Sequence, residues 1–219
     1  MLCLFPASAA LSSGPVVQQT AQADGRSLVI VDSAVRDIAT FKRSLPAGSF
    51  LHVLKPDLEP FAQIADIAST YRGLRSIAVV SHATPGKISL GDAEYDVQAV
   101  RQHGLDLARI GASLTERGDL LLYGCDLGQG SEGLALVNAL SQLTGRDVAA
   151  SSNTTGHSRF GGDWDLEIAS GSIGAPPLLT AALASSWADY LAISITAAGT
   201  TATGTVSYTH LTLPTSDLV

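Results

Sequence analysis

Only two cysteines, Cys3 and Cys125, occur in the 219 residues. Two thiols so far apart make no disulfide framework, so stability must come from a hydrophobic core. Basic residues are scarce too: 13 Lys and Arg against 20 Asp and Glu give a formal charge of −7. They are scattered, and without a basic cluster to neutralise phosphates the chain is not read as a nucleic-acid binder. No stretch reaches the roughly 18 to 20 apolar residues of a membrane span, so no membrane insertion is expected. The N-terminal MLCLFPASAALSSG lacks a positive region before its short apolar run, which makes it a poor secretory signal. Phosphate-cradling loops are missing: Gly128-Gln129-Gly130 is too short to serve a nucleotide, and no cofactor is expected. Nor is a metal expected. His157 has no partner at a metal-ligand spacing, and the carboxylates of GGDWDLE (161 to 167) suit a turn and edge packing around Trp164.

What is present is apolar: 46% of the residues, enough for the core of one α/β domain. Residues 1 to 26 read as a leader or linker. Short β-branched runs then alternate with helical periodicity. SLVIVDS (27 to 33), SFLHVLK (49 to 55), RSIAVVSHA (75 to 83), GDLLLYGCD (118 to 126) and RDVAASS (146 to 152) read as strands. Helices are expected over 35 to 44, 58 to 71, 97 to 116 with a break near Gly104, and 131 to 143 with Ser131 as cap. KISLGDAEYDV (87 to 97) reads as a hairpin around Gly91-Asp92. This alternation predicts an α/β fold with a mainly parallel sheet and helices on both faces. HSRFGGDWDLEIASGSI adds an antiparallel edge ribbon, and LLTAALASSWADYL a short helix or packing segment. Residues 192 to 205 are expected to begin a β-rich repeat region. The final VSYTHLTLPTSDLV (206 to 219) resembles a translated sequencing-adapter fragment, and is assigned no function.

In an open parallel sheet, reactive groups gather outside the carboxyl ends of the strands. Two expected strands end there in nucleophile and base: IAVV runs into Ser81-His82, and DLLLYG into Cys125. Imidazole can take the thiol proton and return it to a leaving amine. Gly124 and the loop after Cys125 leave room for a substrate carbonyl, and their backbone N–H groups, that of Cys125 included, could form an oxyanion hole. Asp32 ends the first strand, where it caps the next helix or lines a substrate pocket. Asp126, Ser151 and Ser152 are further pocket candidates, the serines otherwise belonging to an ST-rich turn. Against the catalytic reading stands a plain one: a lone cysteine after a buried strand is commonly a small core residue.

The succession IAVVSHA…KISLG, GDLLLYGCDLGQG and TGRDVAASSNTTGHSRFGGDWDLE resembles the domain of unknown function 4347 over residues 27 to 191. That domain sits near the N-terminus of very large bacterial adhesins and RTX-type surface proteins, and is similar to the caspase-like cysteine peptidases of clan CD. The resemblance implies a caspase/flavodoxin-like sheet, a His82–Cys125 dyad, and cleavage of a peptide segment of the same polypeptide. It also implies a secreted or surface location, with the export signal outside this fragment. The alternative is an inactive structural or assembly domain of an adhesin. The family usually shows Ser-His-Gly, whereas this chain has Ser81-His82-Ala83, so the oxyanion donor after the histidine would be the Ala83 amide.

Overall fold

The computed structural model describes residues 26–43, 45–177 and 186–192. The leader, most of the segment before Trp187, the repeat-like region after residue 192 and the adapter-like tail therefore lie outside the described residues. Nine strands and five α-helices are described, in the order β1 (Ser27–Val31), α1 (Ile38–Arg43), β2 (Phe50–Val53), α2 (Pro60–Ser69), β3 (Leu74–Val80), β4 (Ala83–Thr84), β5 (Lys87–Leu90), β6 (Ala93–Tyr95), α3 (Val97–Gln102), α4 (Gly104–Ser113), β7 (Leu114–Tyr123), α5 (Gly130–Thr144), β8 (Asp147–Ala150) and β9 (Ile168–Ala169).

Six strands form one sheet in the order β2-β1-β3-β7-β8-β9. The first five run parallel, and β9 closes the edge antiparallel to β8. The expected parallel α/β sheet is therefore present. The hairpin at Gly91-Asp92 is present too, but it joins β4 in a separate three-stranded antiparallel sheet.

The apolar strands are buried on both faces, and alternate residues feed two different layers. Leu28, Ile30, Ile77, Val79, Leu120, Leu122 and Val148 pack beneath α2, α4 and α5. Val29, Val31, Ala78, Val80, Leu121, Tyr123 and Ala149 point the other way. There the cover is thinner: the six-residue α1 contributes Phe41, and Trp164, Trp187 and Leu191 come from segments without regular structure. Phe41 lies 6.2 Å from Trp164 and 6.4 Å from Trp187, ring centre to ring centre. Large rings thus do on this face what long helices do on the other.

Several boundaries differ from expectation. Helix α4 stops at Ser113, because 114 to 116 already belong to β7, with a register irregularity between Leu74 and Ser76 on its partner. The cap position of α5 is Gln129, not Ser131, which falls inside the helix. Helix α1 begins only at Ile38, and the carboxylate that accepts from its first turn is Asp37, through the Thr40 amide at 3.2 Å. Of the edge ribbon, only Ile168 and Ala169 pair with β8.

Phe41 is the principal helical contribution to the thin layer and is fully buried. Phe41→Ala should therefore cost about 3–5 kcal/mol. Urea denaturation measures this, and a loss below about 1 kcal/mol would show that the layer is less closely packed than described.

Candidate functional site

Strands β3 and β7 are parallel neighbours in register, Val80 opposite Tyr123. The pairing runs one step past the strands, where the Ser81 amide donates to the Tyr123 carbonyl at 3.1 Å. His82-Ala83 and Gly124-Cys125 therefore leave the sheet side by side at its carboxyl edge. That edge is where an open parallel sheet presents its ligand site.

Gly124 is explained by its neighbour. A Cβ there would lie 2.7 Å from the Ala83 Cβ and 3.0 Å from the Ser81 carbonyl oxygen. The room expected for a substrate carbonyl at Gly124 is thus taken by the Ala83 methyl. Nor does Ala83 strain the backbone: among the described residues the positive-φ positions other than glycine are Asp37 and Asp126. Alanine fits after the histidine because the facing residue has no side chain.

Cys125 is almost inaccessible, 2% exposed, and belongs to the thin-layer cluster with Trp187 and Leu191. Its Sγ accepts from the Thr155 amide at 3.3 Å and donates to the Thr155 carbonyl at 3.6 Å. Burial pushes the thiol up to about 11 and the Asp126 charge adds to this, while the N–H groups of Thr155, Leu191 and Cys125 itself oppose it. His82 is half-buried, and its Nδ1 is buried without a hydrogen-bond partner. No hydrogen bond joins the two side chains among the described residues, so the pair is adjacent in topology but not engaged.

What lies across this edge is the chain itself. Residues 189 to 192 run as an extended strip between the end of β3 and the loop at Thr155-Gly156. The His157 amide donates to the Asp189 carbonyl at 3.0 Å, and the Leu191 amide to the Thr155 carbonyl at 2.9 Å. On the other side, the Ala83 amide donates to the Leu191 carbonyl at 3.4 Å, with Ala83 bridged in parallel to Ala192. Gly156 permits this close approach: a Cβ there would sit 2.6 Å from the Tyr190 Cα. Leu191 is fully buried, and Trp187, 1% exposed, ties the strip to the body through Nε1–H to the Arg36 carbonyl at 3.1 Å.

The remaining candidates are held in local bonding. Asp32 is buried and bonds to the Ala34 amide through one oxygen and the Gly91 amide through the other, at 2.9 and 2.7 Å. It clasps the hairpin to β1 rather than capping α1. Asp126 adopts φ 58°, accepts from Gln129 Nε2 at 3.2 Å, and has its carboxyl raised by burial. The buried Ser151 bonds to Asn153, and Ser152 donates to Glu167. The Gln129 and Asn153 side chains complete a polar seam, with Asn153 donating to Asp163 and Glu167.

Sequence reasoning missed Leu191 and Ala192. Both lie far along the chain from the dyad motifs, and no alternation in Asp189-Tyr190-Leu191-Ala192 marks an extended strip. It also missed a set of ligand atoms on Glu59, His103 and Asp106, all within 4.8 Å of one another. Glu59 is occupied in capping α2 through the Ala62 amide, and His103 stacks on Phe61 at 4.7 Å.

Residues 28–191 match the family described as "Domain of unknown function (DUF4347)", and the chain belongs to that family. No curated protein matches it. Among solved structures it is similar to one titled "Crystal structure of a small-chain dehydrogenase", at 11% identity and TM-score 0.33, over 55% of this chain and 77% of the other. No helix among the described residues is long and apolar enough to cross a membrane.

The raised thiol has a sign that can be checked. A thiol held neutral by the fold stabilises the protein fully below about pH 9, and this contribution is lost as pH rises through about 11. In a Cys3→Ser background, thiolate absorbance taken as the difference from the same chain carrying Cys125→Ala, so that the five tyrosines cancel, should be absent at about pH 8.5 and rise near pH 11. A midpoint below pH 8 would contradict the buried, neutral thiol.

Proposed function

We propose that the chain is a caspase-like module that cuts its own polypeptide, with Cys125 as nucleophile and His82 as its acid/base partner. The observation that carries this reading is the extended strip at 189 to 192. It lies beside both motifs, held by backbone hydrogen bonds as a peptide substrate would be. His82 would take the thiol proton as Sγ attacks a carbonyl carbon, then give it to the departing amine. A tethered substrate needs no exposed thiolate waiting for external peptides, so a buried thiol is compatible with a single intramolecular event. The setting we propose, a large secreted bacterial surface protein, rests on the resemblance of the motifs.

A second reading is favoured by one observation. A thiol raised to about 11 and doubly bonded to the Thr155 backbone is what an unreactive core cysteine looks like. On that reading the module is a non-catalytic folding or assembly unit, and the strip is its last structural strand.

The two readings part on one comparison. Purified chain incubated at neutral pH should yield fragments with time on denaturing gels. Cys125→Ala and His82→Ala should each abolish them, while leaving the melting temperature within a few degrees. Identical fragment patterns in wild type and Cys125→Ala would overturn the peptidase reading.

A further inference from the structure

We infer that the bond this site acts on is the peptide bond between Leu191 and Ala192, with the Ala83 amide as oxyanion donor. The inference rests on the self-cleavage reading and names its substrate residue. Three observations locate the bond. First, the Thr155 carbonyl is shared: it accepts from the Leu191 amide at 2.9 Å and from Cys125 Sγ at 3.6 Å, which brings Leu191 beside the thiol. Second, the Leu191 carbonyl oxygen points at the Ala83 amide, the N–H that comes after His82. At 3.4 Å this contact is long for a neutral carbonyl, and it is positioned to tighten as the oxygen gains charge. Third, the Leu191 side chain is fully buried in the same cluster as Cys125, so a fitted apolar pocket fixes the residue whose carbonyl is presented.

The strip is also held from its upstream side. Trp187, the Arg159–Ala188 bond at 2.8 Å, the His157–Asp189 bond and the Phe160–Tyr190 ring contact at 4.9 Å all lie before Leu191. Cleavage after Leu191 therefore leaves these anchors intact and frees the chain from Ala192 onward.

The chemistry balances without a further reagent except water. Cys125 Sγ forms a bond to the Leu191 carbonyl carbon as its proton passes to His82. The carbon–nitrogen bond to Ala192 breaks, and His82 protonates the new amine. Water then hydrolyses the Leu191 thioester, restoring the thiol and leaving a carboxylate on Leu191.

Intact-mass measurement of the purified 219-residue chain tests this. The expected products are a fragment ending at Leu191 and one starting with a free amine at Ala192. Hydroxylamine present during incubation should convert the Leu191 terminus to the hydroxamate, the signature of a thioester. Both products should vanish in Cys125→Ala and in Ala192→Pro. The second variant keeps Leu191 and suits its extended backbone while altering the leaving nitrogen, and an unchanged melting temperature would verify its fold. Cys125-dependent fragments with any other terminus would overturn the bond assignment and leave self-cleavage standing. Absence of any Cys125-dependent fragment would overturn both.

Discussion

The register between β3 and β7 is the constraint on which the carboxyl edge depends. Because Val80 faces Tyr123 and the pairing continues through Ser81, the next residues of each strand must emerge together. A slip of one residue would exchange the two faces of either strand, sending Tyr123 and Val80 away from the thin layer they help fill. The register is therefore held by burial along the whole strand pair. Placement of His82 and Cys125 comes at no separate cost.

The two layers divide the work unequally. Beneath α2, α4 and α5 the packing is mostly aliphatic, with Phe61 as its buried ring. On the opposite face, Phe41, Trp164 and Trp187 span the gap, and the strip carrying Leu191 is packed among them. Cys125 is thereby both a member of the core and part of the turn that leaves β7 at the carboxyl edge. This double position explains why its thiol is neutral and buried, although it stands at the edge where α/β sheets place chemistry.

Much of this was legible in the sequence, for reasons that also mark the limits. SLVIV, RSIAVV and DLLLY are apolar and β-branched or leucine-rich without interruption, so their burial on both faces is a local property. His82 and Cys125 could be placed at one edge because parallel strands share a direction. Helix α4 was overrun by three residues because Leu114 continues its apolar spacing, and only pairing with Leu74 recruits it to a strand. Ser131 looked like a cap by residue type, yet the helix starts earlier, where the loop after Cys125 is stitched to Ser151 and Asn153 by backbone bonds. Asp32 does not reach α1, which starts only at Ile38, and its second oxygen meets Gly91 from the other sheet's hairpin instead. Gly124, read as space for a ligand, is space for Ala83. Each miss turns on a contact between distant segments, which no local pattern records.

The indole of Trp187 has a consequence for how the strip leaves this edge. It is enclosed and bonded to the Arg36 carbonyl, only a few residues upstream of the strip. A strip moored so close to its seat re-docks as if present at millimolar concentration or more, on the order expected for a short tether. Any opening of this edge is therefore brief unless the Trp187 mooring lets go as well.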